Sequence, residues 1–230
     1  ARVRYTYDET TGQPDAQYVP TTIKGKMVGY KVRKFPKEFG SPIGIVGKDC
    51  DLIGQFRHTN GGRTVLIVGG EVDYLSADQM LWDYQKRKGN EAYARVAVVS
   101  PTVGEGGSVK QIQAQYEFFN SFEKIIIGLD NDEAGRKAAA KYAAVLPKGK
   151  VFVAKWSRKD PNKMLTDGLE TQFISDFYRA EQFTPDGIVG SGGLLNKIRE
   201  QALTPKIPLP PFMHKIQKMM AGGIPLGVII

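Results

Sequence analysis

The sequence predicts an α/β fold: a parallel sheet with helices on both faces, preceded by a small mixed α+β subdomain and followed by a linker helix. From Thr64 to Lys155, short β-branched runs alternate with stretches at helical spacing, the pattern of a parallel sheet covered on both sides. Gly69, Gly104, Asp130 and Lys159 fall just past the apolar runs, where open α/β sheets place their sites. The composition, 41% hydrophobic and 24% charged over 230 residues, is that of a globular chain long enough to bury a core.

The elements follow in order. Residues 1–20 are polar and turn-rich and read as an extended lead-in. Thr21–Lys26, Met27–Lys31 and Leu52–Arg57 read as short strands, with Gly54 marking a bulge in the last. Lys31 to Gly40 reads as a basic, glycine-punctuated loop. Thr64–Val68 is a buried strand, Gly69-Gly70 a tight turn, and Val72–Arg87 a helix carrying Leu75, Met80, Leu81 and Tyr84. A strand is expected at Ala94–Ser100, a glycine loop at Gly104–Gly107 and a helix at Val109–Phe119. The strand Lys124–Leu129, the helix Ala134–Leu146 and the strand Val151–Lys155 complete the alternation. Met164–Gln182 reads as helical, Gly190–Gly193 as a joint, and Leu194–Leu203 as an amphipathic helix before the stiff prolines 205–211. The expected divisions are a basic subdomain over 1–62, the parallel-sheet domain over 63–183, a linker with its helix over 184–211, and the start of a further domain over 212–230.

Charge and cysteine content narrow the chemistry. A net charge of +8 favours a polyanionic partner. Cys50 is the only cysteine, and His58 and His214 are the only histidines, so neither a disulfide nor a zinc ribbon can be built from this set. A lone thiol suits a reducing compartment. No apolar run approaches membrane-spanning length, and no signal peptide is visible. The chain starts on a residue other than Met and ends on the apolar run Leu226 to Ile230, which reads as a piece of a longer polypeptide.

The sharpest chemical signal is Ile125-Ile126-Ile127-Gly128-Leu129-Asp130-Asn131-Asp132-Glu133-Ala134-Gly135-Arg136. On a strand, residues i and i+2 share a face, so Asp130 and Asp132 can aim two carboxylates at one point. Like charges held that close favour a cation between them, and hard oxygen ligands suit Mg²⁺. The same residues also read as an acidic helix start. Asp160, in Lys159-Asp160-Pro161-Asn162, follows the fourth strand and can supply a third carboxylate; Asp-Pro-Asn is equally a turn signal.

Gly70-Glu71-Val72-Asp73 after one strand, Asp130-x-Asp132 with Glu133-Ala134-Gly135-Arg136 after another, and Lys159-Asp160-Pro161-Asn162 together resemble the TOPRIM fold of DnaG-type primases and topoisomerases. Within it, the chain from about Gly29 to Glu200 resembles the primase part of T-odd bacteriophage primase–helicases, in the Twinkle-like superfamily. The resemblance includes Lys31-Val32-Arg33, Tyr116 to Phe119, Val145-Leu146-Pro147, and Pro185-Asp186-Gly187 ahead of Lys197 to Glu200. It implies a DNA primase: magnesium-dependent (or manganese-dependent) joining of ribonucleoside triphosphates on single-stranded DNA. Asp130, Asp132 and Asp160 are the implied metal residues, and Glu71, Asp130 and Asp132 the implied catalytic ones. Lys31, Arg33 and Lys37 match the basic segment that contacts nucleotide and template. The implied setting is the bacterial host cytoplasm. The implied partners are a helicase domain of the same polypeptide, neighbouring subunits of a ring reached through the 194–203 helix, and a zinc-binding module if one is present. Gly222 to Ile230 is similar to the strand before a helicase phosphate-binding loop, but the Gly-Lys-Ser/Thr of that loop is not in this sequence.

One departure bears on activity. The family usually carries a glutamate where this chain has Gly69, and glycine can neither ligate a metal nor move a proton through a side chain. A catalytically degenerate domain that binds single-stranded DNA and supports a ring helicase is therefore the alternative, as in animal forms of Twinkle. A TOPRIM nuclease is a third reading.

Overall fold

The computed structural model describes residues 3–36, 38–103, 105–184, 206–220 and 222–225. The chain forms two compact units, Ala1–Phe183 and Thr184–Ile230.

The first unit is organised by a five-stranded sheet. Its strands are β6 (Gly62–Val68), β7 (Ala97–Val99), β8 (Phe122–Gly128), β9 (Val151–Val153) and β10 (Glu181–Gln182), in the order β10-β9-β8-β6-β7. Three of its pairings are set by β-branched runs: Leu66 lies level with Val98 on one side and Ile126 on the other, and Ile126 with Phe152. These strands are parallel, as the alternation of strand and helix demands. Alternate residues feed two cores. Leu66, Val68 and Ile126 pack with Met80, Trp156, Met164 and Phe173. Val65, Ile67, Ile125 and Ile127 pack with Ile112, Phe119, Ala139 and Tyr142. Helices α1 (Glu71–Arg87), α5 (Pro161–Thr166) and α6 (Glu170–Tyr178) supply the first core, and α2 (Glu105–Ala114), α3 (Tyr116–Asn120) and α4 (Glu133–Val145) the second. The sheet is thus dry on both faces, and its loops gather at the carboxyl ends of the strands.

Ahead of this sheet stands an antiparallel one: β1 (Arg4–Tyr7), β2 (Pro14–Ile23), β3 (Lys26–Lys34) and β4 (Glu38–Phe39) in that order, with β5 (Ile43–Gly44) on β3. The β2–β3 hairpin turns at Lys24 and Gly25, both at positive φ, as the tightest hairpins require. Asp51 secures the turn by accepting from the Lys24 and Gly25 amides.

Several sequence expectations need correction. Residues 1–20 are no lead-in, since they hold β1 and most of β2. Their pattern is obscured because β2 buries polar residues, Gln17, Thr21 and Thr22, beside Ala16 and Val19. Lys31 to Lys34 belong to a strand rather than a loop. Leu52–Arg57 is not a strand either. Ile53 makes one bridge to Ser100, Gly54 turns at φ 86°, and Gln55–Arg57 is a single 3-10 turn. A side chain at Gly54 would run into the Tyr74 ring and the Val98 carbonyl, which explains the glycine. The helix expected at Val109–Phe119 breaks at Gln115 into α2 and α3. Met164–Gln182 divides into the end of α5, then α6 and β10, which runs antiparallel on the sheet edge.

In the second unit, Lys206–Ile207 pairs antiparallel with Ile224–Pro225, and His214–Met219 forms one short helix. The helix expected at 194–203 lies outside the described residues. Among the described residues no helix is long and apolar enough to cross a membrane.

Candidate metal and nucleotide site

The site is assembled from three loops at the carboxyl ends of β6, β8 and β9. After β6, Gly69 and Gly70 lead directly into α1, whose first turn carries Glu71 and Asp73. After β8, Asp130 stands in irregular backbone, and Asp132 caps α4 by accepting from the Gly135 amide at 2.8 Å. After β9, Asp160 caps α5 by accepting from the Lys163 amide at 2.7 Å, with Pro161 at the first helical position. β8 ends at Gly128, so the i, i+2 strand geometry expected for Asp130 and Asp132 does not apply. Their placement comes instead from the helix cap and the loop.

Asp73 joins the loops. Its Oδ1 accepts from the Asn162 amide at 3.2 Å, linking α1 to the first turn of α5. Ser76 Oγ reaches Asn162 Oδ1 at 3.2 Å beside it. Burial, then the Asp160 charge, then those of Asp130 and Glu71, push the Asp73 carboxyl up to about 7, against the opposing pull of the Asn162 N–H. Asp130 is raised as well. Burial is the main cause, Lys159 opposes it, and Asp160 and Asp132 add to it. Lys159 Nζ lies 3.5 Å from Asp130 Oδ2.

Glu71 plays a different part. Its carboxylate is 4% exposed and accepts from Lys31 Nζ at 2.8 Å and Arg33 at 3.4 Å. Burial pushes this carboxyl up, but the two cations outweigh it and hold it below its ordinary value. Lys31 and Arg33, two apart on β3, present to one face and both reach it. The pairing pins the antiparallel sheet to the α1 N-terminus. Replacing Glu71 with Gln leaves two partly buried cations beside a neutral group, and is expected to cost roughly 2–4 kcal/mol in a denaturant melt. A loss below about 0.5 kcal/mol would deny the pairing that role.

The structure therefore brings Asp130, Asp160 and Asp73 within electrostatic reach of each other, with Asp132 flanking. It sets Lys31 and Arg33 alongside through Glu71. Lys37 lies outside the described residues. Asp73 is the residue sequence reasoning left out of the site. It reads as a helix-start carboxylate, and only its burial among the other carboxylates distinguishes it. Gly69 faces the same space: a Cβ there would lie 3.3 Å from Asp130 Oδ1 and 4.0 Å from Asp73 Oδ2.

The donor set suits a hard divalent cation. Several aspartate oxygens share a partly buried space, and burial, with their mutual repulsion added, raises two of the carboxyls. Among the described residues, no three His, Cys, Asp or Glu side chains stand close enough to hold an ion as they are. Mutual repulsion and the capping bonds of Asp132 and Asp160 act against closer approach.

The Asp73 carboxyl has a consequence for stability. Between pH 4 and about 7 the native state holds a proton that the unfolded chain has released, so the contribution of this group falls as pH rises through about 7. Asp73→Asn is expected to abolish that slope and to stabilise the metal-free protein at pH 8 by roughly 2–4 kcal/mol. Thermal melts in chelator at pH 5 and pH 8 check it. Equal losses on going to pH 8 in parent and variant would assign the slope to other groups.

Comparison with known proteins agrees with the expected fold. The Toprim-like family profile matches residues 66–165, the span from β6 through α5. The chain is 32% identical over 177 residues to the DNA helicase/primase of Enterobacteria phage T3, covering 76% of this chain and 29% of the phage protein. Among solved structures, the primase fragment of the bacteriophage T7 primase-helicase matches at 32% identity and TM-score 0.61, over 76% of this chain and 66% of that one. A second T7 structure shows the lagging-strand DNA polymerase with primase domains of two gp4 subunits bound to an RNA/DNA hybrid and dTTP. It matches at 28% identity and TM-score 0.64, over 79% of this chain and 94% of that one.

Proposed function

We propose, on the premise that this chain carries a Toprim-like domain and is similar to the primase part of T-odd phage primase–helicases, that it is a primase core joining ribonucleotides on single-stranded DNA. The observation that carries this reading is the convergence of Asp73, Asp130 and Asp160 at the carboxyl ends of parallel strands, beside a basic strand held in place by Glu71.

The residues divide the work. Asp130, Asp73 and Asp160, with Asp132 at the edge, would hold Mg²⁺ or Mn²⁺. When bound, the ions supply charge neutralisation for the triphosphate and polarise the attacking 3′-hydroxyl. Lys31 and Arg33 remain 17% and 22% exposed and offer N–H donors to phosphate oxygens. Glu71 keeps both cations from swinging away, which makes it a positioning residue rather than a metal ligand. Lys159 neutralises Asp130 while no dication is bound.

Template-directed initiation would draw on a zinc-binding module, which this chain's single cysteine cannot build. We also assign a helicase domain of the same polypeptide and neighbouring ring subunits as partners, with the segment 194–203 as the docking element. The setting would be the cytoplasm of a bacterial host.

Gly69 favours a second reading, a domain that binds single-stranded DNA and supports the helicase without synthesis. Its backbone faces the aspartates where the family usually places a glutamate. One assay separates the two. Single-stranded template, ribonucleotides, Mg²⁺ and a zinc module supplied in trans are expected to yield dinucleotides and longer primers. No product, together with retained binding of single-stranded DNA, would establish the second reading.

A further inference from the structure

We infer that Asn131 is a positioning residue that locks the Asp130–Asp132 loop onto the loop carrying Asp160, and so sets the spacing of the carboxylates. The inference rests on the metal reading above.

Asp130 and Asp132 lie beyond the last ladder bond of β8, so the sheet does not hold them. The residue between them does. The Asn131 amide donates to the Lys159 carbonyl at 2.6 Å, next to Asp160. Its side-chain Nδ2 donates to the Trp156 carbonyl at 2.8 Å. One residue thus bonds the β9 loop at two points three residues apart. Either bond alone is a hinge, whereas two fix both distance and rotation.

The anchor is rigid. Trp156 is 2% exposed and stacks on Phe173 with ring centroids 4.9 Å apart and planes at 20°. A side chain at Gly128 would collide with the indole, so the end of β8 and this tryptophan are in direct contact. On the other flank, a side chain at Gly135 would strike the Asp130 carbonyl, so the start of α4 closes on the same loop. The loop is held between the α4 cap and the Trp156 carbonyl. Asp160 is independently fixed as the α5 cap.

Any residue at 131 except proline could keep the backbone bond, but only one with a short donor side chain could keep the bond to Trp156. Asparagine presents an N–H₂ at the right reach. Alanine removes the donor. Aspartate presents an acceptor to a carbonyl and adds charge to the cluster. Residues that orient metal-bearing groups through hydrogen bonds commonly change metal affinity by about 10–100-fold when removed.

The test is titration of the full chain with Mn²⁺ alone, followed by calorimetry and by the Mn²⁺ electron paramagnetic resonance signal. Asn131→Ala is expected to weaken Mn²⁺ binding by about 10-fold or more, with Asn131→Asp weaker than its extra charge alone would make it. Asn131→Gln, which keeps the donor one methylene longer, is expected to recover most of the loss. Amide exchange at residue 131 should quicken in the alanine variant. Asn131→Leu, close to asparagine in shape and without a donor, serves the same comparison where the alanine variant does not fold. Asp130→Ala is the reference, expected to lose the Mn²⁺ signal. If Asp130→Ala loses binding while Asn131→Ala stays within about twofold of the parent, the positioning role is overturned and the metal reading stands. If Asp130→Ala also retains binding, the metal reading falls and takes the inference with it.

Discussion

Asp130→Ala is expected to abolish primer synthesis, lowering it by about 10³-fold or more, while leaving the fold intact. The two halves of this expectation come from the same geometry. Asp130 sits between Lys159 on one side and Asp160, Asp132 and Asp73 on the others. Its side chain is 35% exposed, so little apolar packing depends on it. Removing it relieves repulsion among the remaining carboxylates and releases Lys159, which is 60% exposed and readily hydrated. The stability change in chelator is therefore expected within about 1 kcal/mol of zero. The catalytic loss is expected to be large because Asp132, the other aspartate of the β8 loop, is engaged as the α4 cap. Dinucleotide synthesis with Mg²⁺, paired with melts in chelator, separates the effects. Synthesis within about threefold of the parent would remove Asp130 from the chemistry.

Gly69→Glu is expected to raise primer synthesis by about 10–100-fold. The position is permissive. Gly69 is exposed, and it is not among the residues at positive φ. A new Cβ would meet only the ends of the Asp130 and Asp73 side chains, at 3.3 and 4.0 Å, and both can turn away. A glutamate there would extend toward the aspartates and supply the carboxylate that the family usually places at this turn. In chelator the added charge should lower the melting temperature, since it joins an already repulsive group. With Mg²⁺ the variant should gain more stability than the parent, because a dication offsets more repulsion. Gly69→Gln keeps the length without the charge and should give no increase. An active parent that Gly69→Glu leaves unchanged would show that this turn does not limit the reaction. An inactive parent that the variant revives would assign the degeneracy to this one residue.

How far the sequence reached differs between the two sheets. The parallel sheet was legible because its strands are β-branched runs buried on both faces: Val65 to Val68 and Ile125 to Ile127 lie entirely in the core. The antiparallel sheet was legible only in part. β2 buries Gln17, Thr21 and Thr22, whose side chains donate hydrogen bonds to the Tyr5 hydroxyl, the Ile45 carbonyl and the Asp51 carboxylate, contacts distant in the chain. No local hydrophobic period marks such a strand, and the hairpin was expected two residues late.

The sequence by itself determined that this protein has a parallel sheet whose loops carry acidic residues at one end. That follows from local chemistry: apolar runs must be buried, and charged turns cannot be. It also determined that the turn after the first parallel strand lacks a carboxylate at position 69. Only the tertiary structure decided what each acid does. Glu71 and Asp73 are two residues apart in one helical turn, so no local rule tells them apart. Glu71 meets Lys31 and Arg33 from another sheet and becomes an ion-pair anchor, whereas Asp73 is buried against Asp160 and Asp130 and is driven up to about 7. Charges separated by tens of residues set these outcomes, and the strength of an ion pair depends on distance and burial rather than on position along the chain.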